Sequence, residues 1–232
     1  MKCAVVSFPG SNGDMDAVYA MSDAMGTSAE RVWRTETDLS RFDAVVLPGG
    51  FSYGDYLRAG AIARFAPVME AVAAFAAAGR PVLGICNGFQ VLTEAGLLPG
   101  VLMRNASLRF RCHWVHIRVE RSDTAWTADI PHGAVLRLPV AHGEGRYVVD
   151  TETLHRIEED RQIVFRYCTA TGALSPEANP NGATAYVAGV CNDAGNVVGL
   201  MPHPERGAES LIGGDDGLMI LRSLLVAGGV AR

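Results

Sequence analysis

Pro81-Val82-Leu83-Gly84-Ile85-Cys86-Asn87-Gly88-Phe89-Gln90 is the stretch on which the fold turns. A short apolar strand runs into Gly-Ile-Cys-Asn-Gly, and a helical pattern carried by Phe89, Val91 and Leu92 follows at once. A thiol at a strand-to-helix switch, with glycine two residues away on either side, is the thiol form of the nucleophile elbow. The turn is so tight that the glycines are needed, and it lifts the central side chain clear of the sheet. It also sets that side chain beside the first amides of a helix, whose unpaired N–H groups and positive end favour a thiolate. A lone free cysteine is ordinarily a small buried hydrophobe. The flanking glycines turn the reading of Cys86 toward a nucleophile.

Outward from the elbow, the first half alternates strands and helices. Cys3–Phe8 reads as a buried strand, followed by the loop Pro9-Gly10-Ser11-Asn12-Gly13-Asp14. The spacing predicts a helix over Met15–Met25 that Asp14 caps. Glu30–Trp33 and Ala44–Leu47 read as further strands, the second ending in Pro48-Gly49-Gly50. Pro67 opens a helix over Val68–Ala78 that Gly79-Arg80-Pro81 stops. Such alternation means a parallel sheet covered on both faces. Sites in these sheets gather outside the carboxyl ends of the strands, so the loops at Pro9, Pro48 and Cys86 are expected on one rim.

The second half reads differently. Trp114–Glu120, Ala134–Val140, Gln162–Tyr167, Val187–Cys191 and Val197–Met201 are short strands, with turns such as Asn192-Asp193-Ala194-Gly195-Asn196. They are expected to extend the same core as an antiparallel addition, and a helix over Asp215–Leu225 closes the chain. No linker, repeat or low-complexity segment interrupts residues 1–232, which read as one domain.

Composition narrows the function classes. A hydrophobic fraction of 49% fills a sizeable core, and a formal charge of −5 with no basic stripe argues against a nucleic-acid partner. Arg104, Arg109 and Arg111, interleaved with Phe110 and Trp114, form the one basic cluster and read as a solvated face or a contact for a small anion. The five cysteines are odd in number and scattered, no signal peptide is read ahead of the first strand, and no apolar run reaches the ~18 residues of a membrane span. A reduced, cytoplasmic protein without a membrane contact is expected. Cys112-His113-x-x-His116 puts its two histidines on opposite strand faces, so no metal is expected.

Cysteine chemistry needs a base, and one histidine has the right company, in Met201-Pro202-His203-Pro204-Glu205. Residues before proline are pushed into extended backbone, where positions two apart face the same way. His203 and Glu205 then present imidazole and carboxylate on one side, the carboxylate orienting the ring. Pro48-Gly49-Gly50 lets backbone approach closely, and the amides of Gly50 and Asn87 would form a two-donor oxyanion hole. Each donor is typically worth ~3 kcal/mol of barrier.

These residues, with FPGSNGD from Phe8, PGGFSYGDYLRAGAIARF from Pro48, GLLPG from Gly96, PVAHGEGRY from Pro139 and NPNGA from Asn179, resemble class I (triad-type) glutamine amidotransferases. Within that class they resemble the glutaminase subunits of phosphoribosylformylglycinamidine synthase. The resemblance runs from Met1 to the final helix. Asn87 and Phe89 discriminate, because most sister amidotransferases carry leucine and histidine there. It implies an α/β, flavodoxin-like three-layer sandwich with a mostly parallel central sheet and a smaller antiparallel extension. It implies that Cys86 attacks the side-chain amide of glutamine, His203 carries the proton to the leaving ammonia and Glu205 orients His203. Gln90 would touch bound glutamine, and backbone near Phe110 would hold its amino-acid end. Ammonia would pass to a large synthetase subunit, with a small bridging subunit between. ATP and magnesium would sit on that partner, since this chain shows no phosphate-loop signature and no cofactor of its own is expected.

Departures are few: Gly13 and Ala59 stand where relatives often have cysteine, Ala183 where serine is usual and His113 where arginine is frequent. The His142-Gly143-Glu144-Gly145-Arg146 segment reads as a glycine-permitted rim loop more than a second acid–base pair. Both it and PGGFSYGD are expected to shift between resting and productive positions. Two other classes compete with the amidotransferase. A stand-alone cysteine hydrolase or peptidase on the same fold often places histidine directly after the elbow cysteine, where this chain has Asn87. A non-catalytic scaffold would have no reason to keep Cys86, His203 and Glu205 together.

Overall fold

Short runs of Val, Leu and Ala form the centre of the sheet in the computed structural model, which describes residues 1–229. Residues 230–232, the tail of the span expected as one domain, lie outside the described residues. In chain order the strands are β1 (Lys2–Ser7), β2 (Ser28–Trp33), β3 (Ala44–Leu47), β4 (Val82–Ile85), β5 (Val101–Met103), β6 (Arg111–Val119), β7 (Val135–His142), β8 (Arg146–Val148), β9 (Ile163–Cys168), β10 (Val187–Cys191) and β11 (Val197–Leu200). The helices are α1 (Asp14–Tyr19), α2 (Pro67–Ala77), α3 (Asn87–Glu94), α4 (Thr151–Glu159) and α5 (Asp216–Ala227).

Nine strands join in the order β2-β1-β3-β4-β11-β10-β9-β6-β7, while β5 and β8 pair separately. The first five run parallel, and from β11 onward each pairing is antiparallel. One sheet therefore carries both halves of the sequence. β3 and β4 are buried at every position, as strands covered on both faces are. Helix α1 packs on β1 and β2, and α3 lies against β3, β4 and β11. Leu83, Ile85, Phe89, Leu92, Val198 and Leu200 seal the centre around the elbow. Among the described residues no helix is long and apolar enough to cross a membrane.

Three local readings change. The helix expected over Met15–Met25 is α-helical only to Tyr19 and then widens into a π turn over Ala20–Ala24. The Met25 N–H reaches back five residues to the Ala20 carbonyl, and the Ser22 hydroxyl bonds the Val18 carbonyl, competing with the regular ladder. Asp14 does not cap that helix. It is buried, accepts from the Ser7 hydroxyl at 2.7 Å and lies 3.5 Å from Arg31. Helix α4 was not read from the sequence, since Ile157 is its one fully buried residue. Its start is marked by Asp150, whose carboxylate accepts from the Thr153 N–H at 2.7 Å.

Candidate active site

The apolar β4 strand delivers Cys86 at its carboxyl end, with φ 50° and ψ −103°. A non-glycine residue there costs about 1–3 kcal/mol and persists only where its surroundings hold it. Here the Cys86 N–H donates to the Leu200 carbonyl at 2.8 Å and its carbonyl accepts from the Gln90 N–H. The two flanking glycines are required by space. A Cβ on Gly88 would stand 2.0 Å from the Leu47 carbonyl oxygen, and one on Gly84 would stand 2.5 Å from Leu92. Cys86 is 5% exposed, and its sulfur faces the Ala141 carbonyl at 3.8 Å.

Beyond β11, His203 is extended and its N–H donates to the Pro139 carbonyl at 2.8 Å. Glu205 does not continue that extension; it lies in a short helical turn over Pro204–Arg206, which Pro204 opens. The turn folds the carboxylate back to the ring, Oε1 to Nδ1 at 2.6 Å. A carboxylate accepts, so Nδ1 carries the proton and Nε2 is the atom left for the sulfur. Nε2 is buried without a closed hydrogen bond. Burial alone works against a charged ring. The Glu205 carboxylate, then the Cys86 sulfur, outweigh it and hold the His203 pKa well above its ordinary value. The imidazolium is the state of His203 that this environment favours.

The loops at Pro9, Pro48 and Cys86 meet at one rim, as the parallel topology requires. Gly49 lies against the imidazole: a Cβ there would come within 2.7 Å of His203 Cε1. Gly50, at φ 153°, pairs with Ser11 through flanking bonds, Phe51 N–H to Gly10 and Asn12 N–H to Gly49, which leave the Gly50 amide out of the bridge. The Asn87 amide is at the first position of α3, where a helix has no internal acceptor. The Asn87 side chain ties the two loops together, accepting from the Ser52 N–H at 3.1 Å and donating to Gln90 Oε1 at 2.9 Å. A leucine there could do neither. Gly13 packs against Gly49 and Glu205, where a Cβ would crowd the Gly49 carbonyl.

Gln90 is buried with both ends of its amide engaged inside the protein, its Nε2 donating to the Glu144 carbonyl at 2.6 Å. Phe110 is 54% exposed and lies over Gly143. His142 and Glu144 do not pair. His142 Nδ1 bonds Asn105 Oδ1, while the Glu144 carboxylate turns to the Ala59 N–H and toward Arg104. Burial, then the neighbouring charge of His203, pushes the His142 pKa down to about 3. Trp114 leaves the basic cluster to stack under Arg137 and cover Gly213. Asn105 and Asn181, which bond the HGEG segment, were not singled out by sequence reasoning; an asparagine between strands carries the signature of an ordinary turn. A surface cavity of about 440 Å³ lies at the opposite, amino-terminal edge of the strands among Met1, Asp43 and Leu224, away from this chemistry.

Comparison with known proteins places this arrangement. Residues 1–212 match the model of the CobB/CobQ-like glutamine amidotransferase domain. The chain is 64% identical over 228 residues to the phosphoribosylformylglycinamidine synthase subunit PurQ of Thermomicrobium roseum, covering 98% of this chain and 97% of that one. It is 54% identical to the PurQ subunit of Moorella thermoacetica, covering 97% and 95% of the two chains. Among solved structures it superposes on a chain of PurLQS from Thermotoga maritima with a TM-score of 0.86 and 42% identity, over 97% of this chain and 98% of that one.

Proposed function

This chain belongs to the CobB/CobQ-like glutamine amidotransferase family, and from that premise we propose that it is the glutaminase subunit of phosphoribosylformylglycinamidine synthase. It hydrolyses glutamine to glutamate and supplies ammonia to the ATP-dependent amination of formylglycinamide ribonucleotide in purine biosynthesis. The carrying observation is 64% identity along nearly the whole of both chains to a subunit of that name, on a chain that presents a cysteine elbow beside a buried His–Glu pair.

In this reading the Cys86 thiolate attacks the side-chain carbonyl carbon of glutamine. The carbonyl oxygen takes the charge and is met by the amides of Gly50 and Asn87. The tetrahedral intermediate collapses, its C–N bond breaks, and His203 passes its proton to the departing nitrogen as ammonia. Water, deprotonated by His203, then attacks the thioester, and glutamate leaves as the sulfur regains its charge. Glu205 keeps the ring in one orientation and tautomer throughout. Glutamine lies against Gln90 and the Phe110 backbone, the latter at the amino-acid end. The ammonia goes to a large synthetase subunit, which carries ATP and magnesium, with a small bridging subunit completing a cytoplasmic complex.

The test is labelling by a glutamine-mimicking electrophile followed by peptide mass mapping. Modification at Cys86, with parallel loss of glutamate release, is expected. Modification confined to the exposed Cys112, with glutamate release lost in parallel, would overturn the reading.

A further inference from the structure

The four consecutive carbonyls of His142, Gly143, Glu144 and Gly145 are all held by donors from three amide residues. Asn105 Nδ2 donates to the His142 carbonyl at 2.9 Å and the Asn105 backbone N–H to that of Gly143 at 2.9 Å. Gln90 Nε2 takes the Glu144 carbonyl at 2.6 Å and Asn181 Nδ2 that of Gly145 at 2.7 Å. Asn105 does more than its share. Its Oδ1 also accepts from the Gly145 N–H at 3.0 Å and meets His142 Nδ1 at 3.1 Å, and its Nδ2 donates to the Arg109 carbonyl at 2.9 Å.

Asn105 is fully buried, and these contacts fill the two donors and two acceptor positions of its amide. The chemistry fixes the orientation. An N–H of Gly145 can only donate, so the atom facing it is Oδ1, and His142 Nδ1 then carries a proton. The Asn105 carbonyl also accepts from the Leu108 N–H at 2.8 Å, closing the turn that leads to Phe110. One side chain thus joins the Phe110 turn to the HGEG segment, and the latter begins at the Ala141 carbonyl that faces Cys86.

We propose that Asn105 is a positioning residue for glutamine: it locks these two segments into one wall and so sets substrate affinity, without touching the reacting atoms. This rests on the glutamine-hydrolysing reading above. Removing the amide takes the donor from the His142 and Arg109 carbonyls and the acceptor from the Gly145 N–H and the His142 Nδ1–H, and groups so deprived draw in water or shift the backbone. The triad and the elbow amide lie outside that set of bonds. The loss is therefore one of binding shared by ground and transition states, which raises KM and leaves kcat near its value.

The experiment uses the chain assembled with its synthetase partner, and compares wild type with Asn105→Ala and Asn105→Asp. Asn105→Asp keeps the acceptor for Gly145 and His142 and loses both donors. For Asn105→Ala, glutamine KM should rise by about tenfold or more, with kcat within about threefold. Alkylation of Cys86 by iodoacetamide should keep its wild-type rate. Asn105→Asp should fall between the two, and it decides alone if Asn105→Ala does not fold. A KM within about twofold of wild type, or KM, kcat and alkylation rate failing together, would overturn the positioning role. A wild-type complex that releases no glutamate would instead sink the underlying reading.

Discussion

Two glycine-rich loops border Cys86, and they are built in opposite ways. The HGEG segment has every carbonyl from His142 to Gly145 bonded by a buried or half-buried amide donor. The PGGFSYGDYL loop takes left-handed backbone at Tyr53, Asp55 and Leu57 as well as at Gly54, and exposes Phe51, Tyr56 and Leu57. Both loops carry glycines, so the presence of glycine does not decide which loop moves. Backbone strain and exposure do: a segment whose carbonyls are all bonded is a wall, whereas a strained segment that offers apolar side chains to solvent is the one a partner can reset. The sequence reading expected both loops to shift; strain and exposure make the loop carrying Gly50 the one whose movement is to be tested.

The largest effect in this picture involves neither loop. Cys86→Ala should abolish glutamine use, since the elbow offers no second nucleophile, while ammonia-driven synthesis by the assembled complex survives. Glutamate release at the wild-type rate in that variant would remove the sulfur from the mechanism. Next comes the base. His203→Asn should cost nearly as much as the cysteine change, and Glu205→Gln less, because an orienting residue is the most forgiving member of such a set. Steady-state kinetics with glutamine would check the order, and a reversed order would move the base elsewhere.

The loop that carries the oxyanion donor follows. A Cβ on Gly50 would stand 2.7 Å from Ser11 Cα and 2.9 Å from the Asn12 nitrogen. Gly50→Ala should therefore displace the amide and slow acylation by about 10²–10³-fold. By the same logic the isolated chain should turn over slowly and gain a comparable factor when its synthetase, nucleotide and acceptor are present. A chain already at full speed alone would break the contrast between wall and gate.

The smallest effect belongs to the wall. His142 is neutral in the folded protein because its pKa is pushed down to about 3, while an unfolded histidine titrates near ~6.5. The unfolded state binds the extra proton between those values, so folding stability should fall as pH drops from about 6.5 toward 3. Denaturant midpoints across that range should show this slope in wild type and a shallower one in His142→Asn. Equal slopes would mean that the buried ring is not neutral.

Much of this was legible in the residues. The elbow announced itself through Gly84 and Gly88, whose need is steric and local, and β3 and β10 were read with the bounds the structure gives them. The His203–Glu205 contact was foreseen, although through an extended segment rather than the turn that makes it. What escaped is non-local. The bonds of Asn105 reach 37 and 40 residues along the chain, and no local pattern distinguishes such an asparagine from one in a surface turn. The π turn after Tyr19 is accompanied by a serine back-bond that leaves no periodic mark, and α4 hides because one buried isoleucine makes a faint stripe.

The central claim is that this chain feeds ammonia from glutamine to a synthetase. Glutamine labelled with ¹⁵N in its side-chain amide should be supplied to the synthetase, bridging subunit, ATP and formylglycinamide ribonucleotide, with and without this chain. The account predicts ¹⁵N in the aminated product only when the chain is present, and its loss with Cys86→Ala while added ammonium restores synthesis. Label appearing in the product without the chain, or undiminished with Cys86→Ala, would contradict it.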